Sequence, residues 1–249
     1  MRRYALRDDQ WDRLKDFLPG REGHVGGTAA DNRLFVEAVL FRYRAGIPWR
    51  DLPERFGDWK IVHQRFGRWA KSGVFERTFK LLASDHDNEY MMIDATIVRA
   101  HQHSAGARKN GPQAIGRSRG GLTTKIHALV AALGNPVELM LTPGQAHDLT
   151  CAEQLIDGAD PGALLGDKAY DADSLIDTLN RREITPVIPP KANRKVQRDC
   201  DFALYCERNL VERFLNKLKH FRAIATRYDK LARNFLAGVQ LASAIILLN

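Results

Sequence analysis

Three acidic residues, Asp94, Asp167 and Glu212, sit in sequence settings where carboxylates could do chemistry. Asp94 interrupts the apolar run MMIDATIV, which reads as a strand. A carboxylate there needs a compensating partner, because an isolated buried charge is costly. A metal ion would meet that need, as would a salt bridge or a place at the sheet end. Asp167 follows Ala-Leu-Leu-Gly and precedes Lys-Ala-Tyr, at the carboxyl end of a predicted strand. Open α/β sheets place ligand sites at such ends, and turn or helix-capping Asp residues are equally at home there. Glu212 lies in a predicted helix, Tyr205 to Arg222, where Tyr205, Arg208, Glu212 and Lys219 follow at spacings of 3, 4 and 7 and share one stripe. Taken alone, Arg208 and Glu212 also have the spacing of an ordinary surface pair, worth a few tenths of a kcal/mol.

Together the three are more specific. Two-metal phosphoryl transfer needs acidic oxygen ligands on rigid elements, so that two cations about 3.5 to 4 Å apart stabilise the attacking and leaving oxygens. Two strand-borne Asp residues and one helix-borne Glu meet that requirement. The histidines are less decided. His147-Asp148 fits a place beside such a pocket or a turn before a helix, and the pair His101 and His103 suits zinc but lacks the matched Cys or His pair of a four-ligand site.

The elements that must position these groups fall into two regions. In the first third the apolar residues recur at helical spacing: Asp8 to Phe17, closed by Pro19, then Asn32 to Arg44, a short element at Trp49 to Arg55, and Asp58 to Lys71 capped by its Asp. Gly20 to Gly27 reads as a linker. In the last of these helices Trp59, Val62, Phe66 and Trp69 share one face, and Lys60, Gln64, Arg68 and Lys71 share the opposite one. Three helices ending in a basic one resemble a helix-turn-helix unit, with the last helix suited to the DNA major groove; an ordinary solvated basic face is the alternative. From Tyr90 the pattern changes to strands at Met91 to Val98, Leu122 to Leu133, Val137 to Leu141, Ala163 to Leu165 and Pro186 to Ile188. Helices are expected at Leu149 to Ile156, Ala172 to Arg182, Tyr205 to Arg222 and Lys230 to Leu248. This order predicts a mixed sheet flanked by helices. The stretch Gly106 to Gly121, rich in Gly and Arg, reads as a mobile loop. The boundary is expected near Ser84 to Glu89, giving a helical domain at 1–84 and a catalytic domain at 85–249.

Composition narrows the partners. The 38 Lys and Arg against 30 Asp and Glu, a formal charge of +8, favour a polyanion. Cys151, Cys200 and Cys206 form no CxxC pair, and their odd number fits a reducing cytoplasm. The charged start MRRYALRDDQW is no export signal. Ala237 to Leu248 is shorter than the roughly 20 residues a membrane span requires, so a buried C-terminal helix and no membrane partner are expected.

The stripe Tyr205, Arg208, Glu212 and Lys219 resembles the Y-x2-R-x3-E-x6-K signature of insertion-sequence DDE transposases, and GDKAY at 166–170 is similar to their second-Asp block. GIPWRDLPERFGDW and IGRSRGGLTTKIH resemble segments of the insertion sequence five family, so the resemblance runs over nearly the whole chain. One departure is Arg7, where family members tend to carry a capping Thr. The resemblance implies an RNase H-like core with Asp94, Asp167 and Glu212 as catalytic, metal-binding residues, Asp94 bridging two Mg²⁺ or Mn²⁺ ions. It further implies DNA cleavage and strand transfer, with Arg208 and Lys219 on phosphates, Tyr205 near the scissile bond, and Arg117 and Arg119 on backbone phosphates or in a solvated loop. Double-stranded DNA, as terminal inverted repeats and target, is the implied partner, held by a homodimer or larger assembly on the cytoplasmic nucleoid. Two rivals stay open: a nuclease of the same fold that cuts without joining, and a non-enzymatic DNA-binding regulator.

Overall fold

The computed structural model describes residues 4–20, 31–107 and 112–249, so the expected linker beyond Gly20 and part of the Gly- and Arg-rich stretch lie outside the described residues. The chain forms two compact units, and they do not follow one cut near residue 84. The first comprises Met1–Leu82, Arg99–Gln113 and Leu218–Asn249; the second comprises Ala83–Val98 and Ala114–Lys217.

The first unit is helical: α1 (Asp8–Leu14), α2 (Asn32–Ala45), α3 (Trp59–Lys71) and α4 (Val74–Leu82) come from the start of the chain. Asp31 starts α2 by accepting from Leu34 N at 2.7 Å, and Asp58 starts α3 by accepting from Lys60 N at 2.8 Å, each satisfying an orphan donor of the first turn. Arg7 precedes α1 and has no acceptor to offer, so only the reciprocal half of a capping box forms, with Gln10 Oε1 accepting from Arg7 N at 3.1 Å. α2 stops at Gly46, whose φ of +72° suits glycine and where a Cβ would lie 2.8 Å from Arg222 Cβ. The apolar faces of these helices need a cover, and the C-terminal helix, spanning Ala232–Leu247, packs on α2, α3 and α4. Its long sequence separation explains why a single sequence boundary misses the pairing. Among the described residues no helix is long and apolar enough to cross a membrane.

The second unit holds most of the mixed sheet. Its elements in chain order are β1 (Tyr90–Ala100), β2 (Gly116–Ser118), β3 (Gly121–Ala131), β4 (Pro136–Pro143), α5 (Ala152–Leu155), β5 (Ala163–Leu165), α6 (Asp173–Arg181) and β6 (Thr185–Val187). Four helices complete the chain: α7 (Phe202–Tyr205), α8 (Asn209–Lys219), α9 (Arg222–Ala225) and, after the short strand β7 (Thr226–Arg227), the C-terminal helix α10. The strands run β3-β1-β5-β6, with β4 antiparallel to β3 and β5 and β6 parallel to β1, the sheet of an RNase H-like core. Part of the stretch expected to be a loop instead forms β2 against β3. Met91 and Ile93 point to one side of β1, into a core with Leu164, Leu175 and Leu179. Strand alternation therefore sends Met92 and Asp94 to the other side.

Candidate active site

Sheet register brings the two Asp residues together. β1 and β5 are parallel, with Met92 paired to Leu165. Beyond Leu165, where β5 ends, the same direction carries Asp167 towards Asp94, close enough for its charge to act on the Asp94 carboxyl. Asp167 lies two residues past the end of β5 and caps the following turn, its Oδ1 accepting from Ala169 N at 2.8 Å, so the capping reading and the position after the strand's carboxyl end hold at once.

Glu212 arrives from α8. Val211, Phe214 and Leu215 are buried at i, i+3 and i+4, and each such side chain contributes about 1.5 to 3 kcal/mol on burial. Glu212, one residue beyond Val211, is thus held at the edge of the buried face, 52% exposed. Arg208 joins it to the sheet. Its Nη1 donates to Asp94 Oδ2 at 3.1 Å and its Nη2 to Glu212 Oε1 at 2.5 Å, and its guanidinium lies 5.9 Å from the Tyr205 ring centre. The predicted continuous helix is broken here: α7 ends at Tyr205, a single 3-10 turn spans Cys206–Arg208, and α8 begins at Asn209. Lys219 lies at the far end of α8 and belongs to the first unit.

Burial pushes the Asp94 carboxyl above its ordinary value; the Ala95 N–H and the Arg208 charge pull it back, and the neighbouring Asp167 adds to the rise. Burial lowers Arg208, but Asp94, Tyr205 and Glu212 together outweigh it and leave it raised. Among the described residues no three His, Cys, Asp or Glu side chains form a ready metal-ligating group. The three side chains offer only carboxylate oxygens, the donor type that suits a hard cation, and a positive group, the Arg208 guanidinium, bonds both Asp94 and Glu212.

Other side chains near this site are harder to see in sequence. Tyr170 is buried, its hydroxyl has no hydrogen-bond partner among the described residues, and burial first, then the charges of Asp148, Asp94 and Asp167, raise its pKa. Asp148 accepts from Lys125 Nζ at 2.7 Å. His127, two residues along β3 from Lys125, is buried and bonded through Nε2 to Thr142 Oγ1 at 2.8 Å. Their signal was the alternation Thr123, Lys125, His127 on one face of β3. His147 is exposed and precedes the 3-10 turn Asp148–Cys151. His101 and His103, with rings 4.6 Å apart, belong to the first unit.

The cationic residues singled out from sequence are on the surface. Lys60, Gln64, Arg68 and Lys71 are all exposed along α3, opposite buried Val62, Phe66 and Trp69. Arg117 on β2 and Arg119 just after it are exposed in the second unit. Cys151, Cys200 and Cys206 are free thiols.

Residues 86–247 match a family model described as "Transposase DDE domain", and residues 6–79 match one described as "Putative transposase of IS4/5 family". The chain is similar to the uncharacterised protein y4sN of Sinorhizobium fredii, 51% identical over 105 residues, 42% of this chain and 84% of that one. It is also similar to a Brucella ovis protein named for the transposase of insertion sequence element IS6501, 39% identical over 127 residues, 50% of this chain and 98% of that one. A solved piggyBac transposase synaptic complex with hairpin DNA is similar over 77% of this chain, which spans 50% of that chain, at 13% identity and a TM-score of 0.39.

Proposed function

The chain belongs to the transposase DDE-domain family, and from that premise we propose that it cuts DNA at the ends of an insertion element and joins them to target DNA, with Asp94, Asp167 and Glu212 as the catalytic carboxylates. The observation that supports this reading is Arg208 tying Asp94 to Glu212, with Asp167 just beyond the strand paired to β1 and its charge acting on Asp94. Asp94, Asp167 and Glu212 would hold two Mg²⁺ or Mn²⁺ ions. When bound, such ions stabilise the attacking and leaving oxygens of a phosphodiester.

The chain's own residues position the DNA. Arg208 spends two of its five donors on Asp94 and Glu212, so the remaining N–H groups can hold a phosphate oxygen next to the carboxylates. Tyr205, beside the guanidinium, offers a ring and a hydroxyl to the strand being cut. Lys219, farther along α8, adds a point charge for a more distant phosphate. On the first unit, α3 reads the end: Lys60 and Lys71 neutralise phosphates while Gln64 and Arg68 present donors to base edges. Arg117 and Arg119 contact the backbone. Synapsis of two ends is served by a homodimer.

The test uses a labelled element-end fragment with Mg²⁺. Asp94→Asn, Asp167→Asn and Glu212→Gln each lose a charged ligand at nearly constant volume, so each should abolish cleavage and joining while end binding persists. Near-normal cleavage by any one variant would remove that residue from the triad, and cleavage without joined products by the wild type would favour a nuclease.

A further inference from the structure

The first unit contains a cavity of about 610 Å³ that the DNA-cutting reading leaves unused. Three stretches of chain distant in sequence bring rings to its wall: Trp49, Trp59 and His63 from α3 and the turn before it, His101 after β1, and Tyr228 after β7. One pair of these rings stacks and another meets at a tilt. His101 lies against Tyr228 with centres 4.8 Å apart and planes 28° apart, and Trp49 lies 5.2 Å from His63. Tyr228 is still 41% exposed, so a flat aromatic surface that burial would normally cover is available.

The charged residues that line the cavity, Arg42 and Arg50, are of one sign. The exposed Arg50 guanidinium sits 5.7 Å from the Trp59 ring centre, and among the described residues lining the cavity none is Asp or Glu. Deeper in, Arg42 is 3% exposed and paired with Asp229 at 3.0 Å, yet its Nε has no hydrogen-bond partner among the described residues. A buried N–H left unmade is costly, so this wall favours an occupant with an acceptor edge. Planar, acceptor-edged and anionic describes a nucleobase with its phosphate, and the volume falls within the roughly 300 to 1,000 Å³ of small-ligand pockets.

We infer that this cavity captures a single unpaired nucleobase of the DNA strand held on α3. Trp59 and His63 are four residues apart on α3, and the adjoining positions Lys60 and Gln64 are exposed on the face proposed to hold DNA. A strand held on that face would pass beside His63, whose ring lies at the edge between the two faces of α3 and lines the cavity. Extrusion is cheapest for a base that is already unpaired, and stacking on aromatic rings is tolerant of base identity. The site therefore recognises a local distortion or a strand end, while α3 reads sequence. This inference rests on the proposed DNA function, and the two can fail separately.

Fluorescence anisotropy on the full chain tests it with two labelled duplexes, identical except that one carries a single unpaired adenine, and with deoxyadenosine monophosphate as a competitor. The wild type should prefer the unpaired duplex about ten-fold or more, the scale of one base-aromatic stack. Tyr228→Ala and Trp59→Ala should bring that preference close to one, whereas Tyr228→Phe should keep it. Tyr228 is exposed, so its variants serve even if Trp59→Ala does not fold. Equal wild-type affinity for the two duplexes, or a preference that survives Tyr228→Ala, overturns the inference and leaves DNA binding standing. Loss of the preference at competitor concentrations comparable to the duplex would assign the cavity to free nucleotides and also overturn it. Binding of neither duplex overturns both this inference and the DNA-cutting reading.

Discussion

Replacing Arg208 should destabilise the protein mainly through Asp94, and the size of the effect follows from exposure. Arg208→Met removes a guanidinium that lies 3.1 Å from Asp94 and 2.5 Å from Glu212. Glu212 is 52% exposed, so its share is that of a surface pair, about 0.3 to 0.5 kcal/mol. Asp94 and Arg208 are only 20% and 16% exposed. At about 3 Å their attraction is about 5 kcal/mol at an effective dielectric of 20 and about 1.4 in water, before desolvation. The net value of a hydrogen bond to a charged group is smaller, about 1.5 to 3 kcal/mol. Arg208→Met should thus cost about 1.5 to 3 kcal/mol, lowering Tm by roughly 3 to 12 °C at about 2 to 4 °C per kcal/mol. In an Asp94→Asn background the lost bond has an uncharged acceptor and is worth about 1 kcal/mol, so the two changes should couple by about 0.5 to 2 kcal/mol. Asp94→Asn alone should leave stability at pH 7 unchanged or higher. Its folded-state pKa lies above 3.8, so the native protein binds more protons, and stability falls as pH rises from 3.8 through the raised value. Above that window the charge is carried at a cost that Asn does not incur. Thermal and urea denaturation of the four proteins in this cycle decide the matter. Equal cost of Arg208→Met in both backgrounds, or an Asp94→Asn protein clearly less stable than wild type, would refute the reasoning.

Three further outcomes follow from other parts of the molecule. Mg²⁺ or Mn²⁺ should support cleavage of a labelled end, whereas Ca²⁺, larger and less strict in geometry, should allow binding with little turnover; activity specific to Zn²⁺ would contradict an oxygen-ligand site. Changing Gln64 and Arg68 to Ala should lower discrimination between a true end and random DNA by about 1 to 3 kcal/mol per lost bidentate contact, and changing Lys60 or Lys71 should weaken binding to both and flatten the salt dependence; titrations at two salt concentrations read both, and an unchanged specificity ratio would show that α3 is not the reader. Burial, opposed by Asp148 and reinforced by Lys125, lowers His127 from 6.5 to about 4, so its neutral form contributes stability above pH 6.5 that is lost as pH falls towards 4, about 3 kcal/mol at 1.36 per pH unit. Melts at pH 7 and 4.5 should show wild type losing more than His127→Asn, and equal losses would count against it.

Much of the fold was readable because its elements carry strong local periods. β1, β3 and β5 are apolar runs bounded by turn residues, and the alternation of faces on α3 survives intact in the structure. The misses have local causes. α4 (Val74–Leu82) was passed over because it follows α3 after a short turn at Gly73, whose φ of +71° marks the break, and Glu76, Arg77 and Lys80 dilute its apolar face. β2 was read as loop because Gly and Arg dominate its segment, yet its backbone pairs with β3. Arg7 puts the first helix's cap in doubt, and its side chain makes no cap bond; its guanidinium reaches Asp9 at 2.9 Å and Asn249 Oδ1 at 2.9 Å, the latter a contact 242 residues away that no local pattern encodes.

The site was legible in angle but not in distance. Spacings of 3, 4 and 7 place Tyr205, Arg208, Glu212 and Lys219 on one stripe of a continuous helix, but seven residues also advance about 10 Å along the axis, so Lys219 cannot share Glu212's immediate surroundings. The 3-10 turn at Cys206–Arg208 then changes the pitch where the stripe was assumed regular, and Arg208 reaches Asp94 as well as Glu212. That contact could not be read from either segment alone, because it depends on the sheet bringing residue 94 to residue 208. Strand periodicity carries a comparable signal. Thr123, Lys125 and His127 alternate through β3 on one face, and a buried Lys on such a stripe requires a carboxylate nearby. Asp148 supplies it, so the residue first noticed as a companion of His147 has its clearest role as the partner of Lys125, while His147 itself stays at the surface.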